Sequence, residues 1–269
     1  MPREDYSRIV RRYEPREPWA LDSASALLVS VIIPARDEAN SMGSLISKIK
    51  ESLSGYSHEI IVVDDASKDA TREIASRNGT IVISHKENLG KGAAMKRGAQ
   101  NASGSVIVFL DGDGAHNPHD IPRVITPILE GRADFVIGSR ALPESKVSVS
   151  PLSRRLTNNL ASFVISGVIS FLLPLVTLFK CPVKWIKVTD CTSGFRAIKR
   201  DAWQKLNLAS RGFQIETEMI YEAARKRLVI VEAPISCNWN KELSRLSILR
   251  DSLRTLKLLA GRLIDEVGK

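Results

Sequence analysis

Apolar residues along this chain come in short continuous runs, separated by stretches in which they recur at helical spacing. Leu28-Val29-Ser30-Val31-Ile32-Ile33-Pro34 is β-branched and closed by proline, and reads as a first buried strand. Met42, Leu45, Ile46, Ile49 and Leu53 follow at helical spacing and predict a helix over 41–53. Glu59 to Val63 is a second strand, ending in Asp64-Asp65, and a helix starts after Ser67 and runs to about Arg77. Thr80 to Ser84 is a third strand, and Gly90-Lys91-Gly92 opens a helix through Ala102. Val106 to Leu110 is a fourth strand, ending in Asp111-Gly112-Asp113-Gly114. A helix beginning at Pro118-His119-Asp120 and a fifth strand over 133–138 complete a strict alternation to residue 140. That alternation predicts an α/β fold, a mostly parallel sheet flanked by helices on both faces.

The pattern changes over residues 156–180. From Leu160 to Phe179 no residue is charged, and Arg154-Arg155 and Lys180 bracket the stretch. Its length is near that of a membrane span. Ser162, Ser166, Gly167, Ser170, Pro174 and Thr177 interrupt it, and a single span would carry the rest of the chain away from the acidic loops. A helix or broken helical pair lying in the membrane interface is therefore favoured, with re-entrant or spanning placement and a plain core segment as the alternatives. Further on, an extended piece around 192–198, a helix over 215–227 and a strand over 228–235 are expected. The last helix, about 246–267, sets Leu249, Leu253, Leu256, Ala260 and Leu263 on one face and Arg250, Arg254, Lys257 and Arg262 elsewhere. Residues 1–27, with mixed Arg and Glu and three prolines, read as a flexible or loosely docked basic arm. The domain division is thus an arm (1–27), an α/β domain (28–240, including 156–180) and a C-terminal amphipathic, interfacial helix (241–269).

The formal net charge of +9 over 269 residues points to an anionic partner. Aromatics are only 6% of the chain and no zinc-finger or RNP-like pattern occurs, which sets nucleic acid aside in favour of nucleotide phosphates or an acidic membrane surface. Three cysteines without paired spacing give no disulfide framework and no metal site. The charged N-terminus lacks the apolar core of a secretory signal.

Two predicted strands end in acids, Asp64-Asp65 and Asp111/Asp113, within a basic protein. The carboxyl ends of strands are where open α/β sheets bind ligands. Alone, Asp-Gly-Asp is also compatible with a solvated turn. Beside a second acidic strand end, one group of acids suits hydrogen bonding to a nucleobase or ribose, and the other suits a hard cation on a pyrophosphate. Pro34-Ala35-Arg36-Asp37-Glu38 adds polar groups to the same rim, and Lys91 at a helix N-terminus favours an anion, without the spacing of a Walker A loop.

These blocks, with Val62-Val63-Asp64-Asp65-Ala66-Ser67-Lys68-Asp69-Ala70-Thr71 and Asn88-Leu89-Gly90-Lys91-Gly92, resemble the family 2 glycosyltransferases of GT-A fold, in order and in spacing. Gly138-Ser139-Arg140, Ser153-Arg154-Arg155, Asp190 to Ala197, Phe213 to Met219 and Ser244-Arg245-Leu246 are similar to the polyprenyl-phosphate branch, typified by dolichyl-phosphate mannose synthases. The resemblance covers roughly residues 28–260, and Phe171–Val188 looks like an insertion atypical of the family.

The resemblance implies a nucleotide-sugar site at Pro34, Arg36, Glu38, Asp64, Asp65, Lys91, Asp111, Gly112 and Asp113, with Asp111 and Asp113 holding Mg²⁺ or Mn²⁺. Arg140, Arg154 and Arg245 would contact phosphates of donor or acceptor, and Asp113 and Arg140 would carry catalysis. Relatives often have a third polar ligand two residues after the second Asp. Here that position is Ala115, so water, a phosphate oxygen or His116 would complete the shell. The expected activity is inverting transfer of a hexose, mannose or glucose, from a nucleotide sugar to a polyprenyl (dolichyl-type) phosphate. It would take place at the cytoplasmic face of a membrane, with the enzyme peripheral or re-entrant. A hydroxyl acceptor would instead need a base, for which Asp190, Glu216 and Glu218 are candidates. A nucleotide-sugar-binding membrane protein without turnover, and a nucleotidyltransferase, are the other readings. Oligomeric state is left open.

Overall fold

A computed structural model of the protein describes residues 10–12, 27–148, 152–168, 170, 187–238, 258 and 261–262. In chain order its elements are β1 (Val10–Arg12), β2 (Val29–Ala35), α1 (Ala39–Ser52), β3 (His58–Asp64), α2 (Thr71–Arg77), β4 (Ile81–Ser84), α3 (Lys91–Asn101) and β5 (Val106–Phe109). A 3-10 turn (Pro118–Asp120) then runs into α4 (Ile121–Leu129), followed by β6 (Phe135–Ser139), α5 (Leu152–Gly167), β7 (Arg196–Lys199), α6 (Arg200–Gln204), α7 (Ile215–Arg225) and β8 (Ile230–Pro234).

The eight strands form one sheet in the order β1-β8-β6-β7-β5-β2-β3-β4. All neighbours are parallel except β7, which runs antiparallel between β5 and β6. The continuous apolar runs are explained by burial on both faces. Val31 and Ile33 of β2 pack with Met42, Leu45, Ile46 and Ile49 of α1 on one side. Ile32 packs with Ala94 and Met95 of α3 and Met219 of α7 on the other. Each such side chain contributes roughly 1.5–3 kcal/mol by leaving water, so the central strands have no polar face to expose.

The predicted strands and helices through residue 140 are all present, with ends shifted by one to four residues where local turns intervene. The N-terminal arm departs from expectation: Val10–Arg12 is a strand, parallel to Ile230–Glu232, and Arg12 pairs with Glu144. An edge strand is recruited by the unpaired backbone groups of β8, which leave no side-chain pattern to read.

Part of the uncharged stretch is α5. Its Ser162 and Ser166 are buried, and their hydroxyls accept from Cys191 N (3.1 Å) and Val188 N (3.0 Å), while Leu160 and Phe163 are 65% and 64% exposed. The serines that broke the apolar pattern thus serve the backbone that follows. Among the described residues no helix is long and apolar enough to cross a membrane. Residues 171–186 and most of the expected C-terminal helix lie outside the described residues; Leu258, Gly261 and Arg262 are helical.

One buried acid of the sheet bears on the site. Glu232 of β8 accepts from Thr189 N (2.9 Å), Thr189 Oγ1 (2.9 Å) and Asp190 N (3.2 Å), which fixes the turn that carries Asp190. Burial pushes its carboxyl up to about 7, against these bonds, which favour the ionised form. Because the folded value exceeds the unfolded one, the folded state binds the additional proton. Its contribution to stability is complete below the unfolded value and is lost as pH rises through about 7. Denaturant unfolding at a series of pH values checks this. The stability of the wild type minus that of Glu232→Gln should fall by roughly 2 kcal/mol between about pH 5 and about pH 8. A flat difference would show that Glu232 is ionised throughout.

Candidate active site

The carboxyl ends of β2, β3 and β5 make one rim, because β2 lies between the two strands that end in acids. The loops are tied to one another by the polar residues after β3. Ser67 Oγ accepts from Asp37 N (2.9 Å), Thr71 Oγ1 from Glu38 N (2.7 Å) and Asp69 from Ala39 N (3.0 Å). In return Asp37 accepts from Lys68 N at 2.6 Å. These bonds hold Asp37 in a left-handed conformation (φ 51°) and set Pro34, Arg36 and Glu38 along the rim. Arg36 is part-exposed, and its Nε lies 3.7 Å from Asp37 Oδ2. Gly112 packs against Ala35 and Glu38, and its carbonyl accepts from Ser41 Oγ at 2.6 Å.

Asp65 has a task beyond the one expected of it. Its carboxylate accepts from Leu89 N (2.9 Å) and Gly90 N (2.8 Å) and pairs with His85 Nδ1 (2.7 Å). It thereby braces the loop that starts α3 and fixes where Lys91 begins. Asp64 accepts from Ser67 N at 3.1 Å. Gly90 is at φ 94°, and a Cβ there would meet the Arg211 carbonyl at 2.5 Å, so only glycine lets the helix start against that loop.

The antiparallel β7 brings the other half of the site. Phe109 is in register with Arg196, so the residues just before β7 lie at the end of β5, against Asp111. Gly194 touches the Asp111 carboxylate where any Cβ would stand. Arg196 is fully buried. It donates from Nε to Ser193 O (2.7 Å), from Nη2 to Cys191 O (2.8 Å) and from Nη1 to Glu216 O, holding this turn to the first turn of α7. Residues 236–238 close the remaining side. Asn238 N donates to Ala115 O (2.7 Å) and Cys237 N to Lys146 O (2.9 Å), stitching the loop after Asp113 to the loop after Arg140.

Charged groups converge here. Lys91 Nζ lies 2.5 Å from Asp111 Oδ1 and 2.6 Å from Glu216 Oε1, with the Phe213 ring centroid at 5.5 Å. Arg140 forms a two-point pair with Asp190, at 2.7 and 2.8 Å, and donates to Thr192 Oγ1 at 2.9 Å. Burial opposes the charge on Arg140, but the Asp190 carboxylate outweighs it and the guanidinium is held firmly protonated. Burial likewise opposes the charge on Lys91, and Asp111 and Glu216 outweigh it. Asp113 is pushed up by burial and then by the charge of Asp111. His116 is driven down to about 4 by burial. It is neutral, rests against the Phe195 ring at 5.8 Å, and neither ring nitrogen has a hydrogen-bond partner among the described residues.

The candidate bases separate. Glu218 is buried and accepts from Ala209 N (3.0 Å), Ser210 N (2.8 Å) and Arg262, so it is a structural brace, not helix surface. Asp190 is committed to Arg140. Glu216 is buried, and its Oε2 has no hydrogen-bond partner among the described residues. Arg154 lies on the backbone of α5, and Arg245 lies outside the described residues. Sequence reasoning missed the bracing roles of Arg196, Glu232 and Ser41. An arginine inside the apolar Phe195-Arg196-Ala197-Ile198 run was the one visible signal of a buried charge with a structural duty.

A divalent cation fits Asp111 and Asp113. Asp111 raises the cost of ionising Asp113, and an ammonium already neutralises Asp111. Among the described residues no group of three or more His, Cys, Asp or Glu is arranged to hold a metal. Mg²⁺ and Mn²⁺ accept such a site, taking few carboxylates and filling the shell from phosphate and water.

Residues 30–206 match the family model described as glycosyl transferase family 2. The chain is 35% identical over 212 residues to the dolichol-phosphate mannosyltransferase of Pyrococcus furiosus, covering 77% of this chain and 56% of that one. It is 31% identical over 231 residues to a UDP-N-acetylglucosamine–dolichyl-phosphate N-acetylglucosaminyltransferase of Methanococcus voltae, covering 77% and 84%. In three dimensions it is similar to the glucosyl-3-phosphoglycerate synthase of Mycobacterium tuberculosis in complex with Mn²⁺ and UDP-glucose. The TM-score is 0.66 at 24% identity, covering 94% of this chain and 86% of that one. The acidic rim on a mostly parallel sheet and the match over the body of the chain agree: this protein belongs to glycosyl transferase family 2, with the GT-A fold, and its relatives include enzymes of the polyprenyl-phosphate branch.

Proposed function

We propose that this protein transfers a hexose from a nucleotide sugar to a polyprenyl phosphate at a membrane surface, with Mg²⁺ or Mn²⁺ at Asp111 and Asp113. The observation that carries the reading is the pairing of an acidic donor rim with the clamped, buried-side arginine Arg140 across the same crevice. The names of the Pyrococcus and Methanococcus relatives, both dolichyl-phosphate transferases, support the acceptor class. The Mn²⁺ and UDP-glucose named for the Mycobacterium structure support the donor class and the metal.

The chemistry follows from the charges. The bond between the anomeric carbon and the nucleoside diphosphate breaks as an acceptor phosphate oxygen attacks from the opposite face, so configuration inverts. The cation, when bound, neutralises the charge that develops on the departing diphosphate. Pro34, Arg36 and Glu38 line the nucleoside end of the rim, and Gly112 lets the donor lie along the backbone. Asp190 fixes the guanidinium plane of Arg140. Two of its nitrogens are used on Asp190 and Thr192, and Nη1, without a partner among the described residues, is left for a phosphate oxygen. A phosphate acceptor is already anionic near neutral pH, so no protein base is required. Leu160 and Phe163, exposed on α5, suit contact with acyl chains beside that acceptor. The proposal includes the cytoplasmic face of a membrane as the place of the reaction.

A second reading rests on Glu216. Its free carboxylate oxygen beside Asp111 could serve as base for a hydroxyl acceptor.

Transfer of radiolabelled sugar from GDP-mannose and from UDP-glucose to a short polyprenyl phosphate in detergent tests the proposal. Label should enter the organic phase with one donor, require Mg²⁺ or Mn²⁺, and fall at least about 100-fold in Asp113→Asn. Label confined to water-soluble glycosides would establish the hydroxyl acceptor instead. Gly194→Ala should displace the Asp111 carboxylate and lower kcat roughly 100-fold, with the melting temperature close to that of the wild type. Activity retained in that variant would show that the position of Asp111 is not limiting.

A further inference from the structure

Lys91 stands where helix electrostatics disfavour it. It is the first residue of α3, and the positive end of a helix dipole repels a cation. Its side chain is nevertheless nearly buried, and its ammonium sits between two carboxylates, 2.5 Å from Asp111 and 2.6 Å from Glu216. Glu216 is itself buried, and its second oxygen has no hydrogen-bond partner among the described residues. One carboxylate of the pair therefore belongs to the expected cation site, and the other has unused capacity for the ammonium.

We propose that Lys91 is a resident counter-cation of the donor site: it neutralises Asp111 in the empty enzyme and passes wholly onto Glu216 when a divalent cation arrives with the donor diphosphate. The inference rests on the reading of Asp111 and Asp113 as cation ligands. An ammonium and a divalent cation on one carboxylate repel each other strongly at such short range. The ammonium is already in contact with Glu216, so a small movement is enough to bring it against both Glu216 oxygens. The free enzyme then binds a bare cation weakly. A nucleoside diphosphate adds the negative charge that tips the balance, so cation and donor bind with positive coupling, and by linkage each strengthens the other equally. Glu216 is thus a positioning residue, acting on the cation through Lys91.

Mn²⁺ binding to the full-length protein, followed by the large enhancement of water-proton relaxation that protein-bound Mn²⁺ gives and free or nucleotide-bound Mn²⁺ does not, tests this apart from any turnover. Wild type should bind Mn²⁺ weakly alone and about tenfold more tightly with GDP or UDP present. Lys91→Met should bind Mn²⁺ alone about tenfold more tightly than wild type and gain less from diphosphate than wild type does. Lys91→Arg keeps the charge and should retain weak binding, which separates charge from packing. Glu216→Gln should weaken Mn²⁺ binding severalfold in the wild-type background, because it leaves the ammonium on Asp111, and should have little effect in the Lys91→Met background. Lys91→Met binding no more tightly than wild type, or Glu216→Gln acting equally in both backgrounds, overturns the proposal while leaving the cation site intact. Wild type that binds no Mn²⁺ even with diphosphate overturns the cation reading itself, and this inference with it.

Discussion

A guanidinium with no carboxylate partner among the described residues holds the half of the site around β7 and α7 together. Arg196 is fully buried and is solvated by the carbonyls of Cys191, Ser193 and Glu216, with the Phe135 ring 5.7 Å from its centre. Hydrogen bonds to a charged group are worth roughly 1.5–3 kcal/mol each, and here they must offset the burial that presses the charge off this arginine. The arrangement is therefore all or nothing. With Arg196 in place, the turn before β7 and the start of α7 share one anchor, and Asp190, Gly194 and Glu216 take fixed positions around Asp111. Without it, the Cys191 and Ser193 carbonyls would lose this donor, and the turn would lose its link to the start of α7.

The donor half is fixed by different means. Here the loops after β2 and β3 exchange side-chain-to-backbone bonds through Ser67, Asp69 and Thr71. Asp65 carries the same bracing on to the loop before α3. Short polar side chains suit this, because they reach neighbouring backbone groups with little rotamer entropy to lose. A rim built so holds its shape without a ligand, which favours binding a donor in a single orientation.

Between the halves, two basic side chains are shared out among acids. Arg140 belongs to Asp190, and Asp190 is placed by a turn that Glu232 holds from within the sheet. Lys91 belongs equally to Asp111 and Glu216. The site is thus a balance of nearly neutralised groups, and an arriving diphosphate with its cation can change the pairing without exposing any charge to an apolar environment. The exposed apolar residues of α5 lie on the helix whose serines hold the backbone next to Asp190. An exposed apolar element and the turn that places Asp190 beside Arg140 are in this way parts of the same packing unit.

How much of this was legible in the sequence divides along physical lines. Strand and helix order to residue 140, and the placing of Asp64-Asp65 and Asp111/Asp113 at strand ends, follow from apolar periodicity alone, since burial on one or both faces is a local requirement. The family motifs added Arg140 and the stretch from Asp190 to Ala197, but not their partners. What only the tertiary structure decided are pairings between groups far apart in the chain. Lys91 meets Glu216, Arg140 meets Asp190, Glu232 reaches Thr189, and Val10–Arg12 joins the edge of β8. The reversal of β7 makes several of these contacts, and strand direction is set by the path of the chain through space, which no local pattern encodes. Glu216 and Glu218 entered from the sequence only as candidate bases, with nothing local to show what they meet. They are buried because a lysine, an arginine and backbone amides from other segments come to meet them, and charge can leave water only where such partners exist.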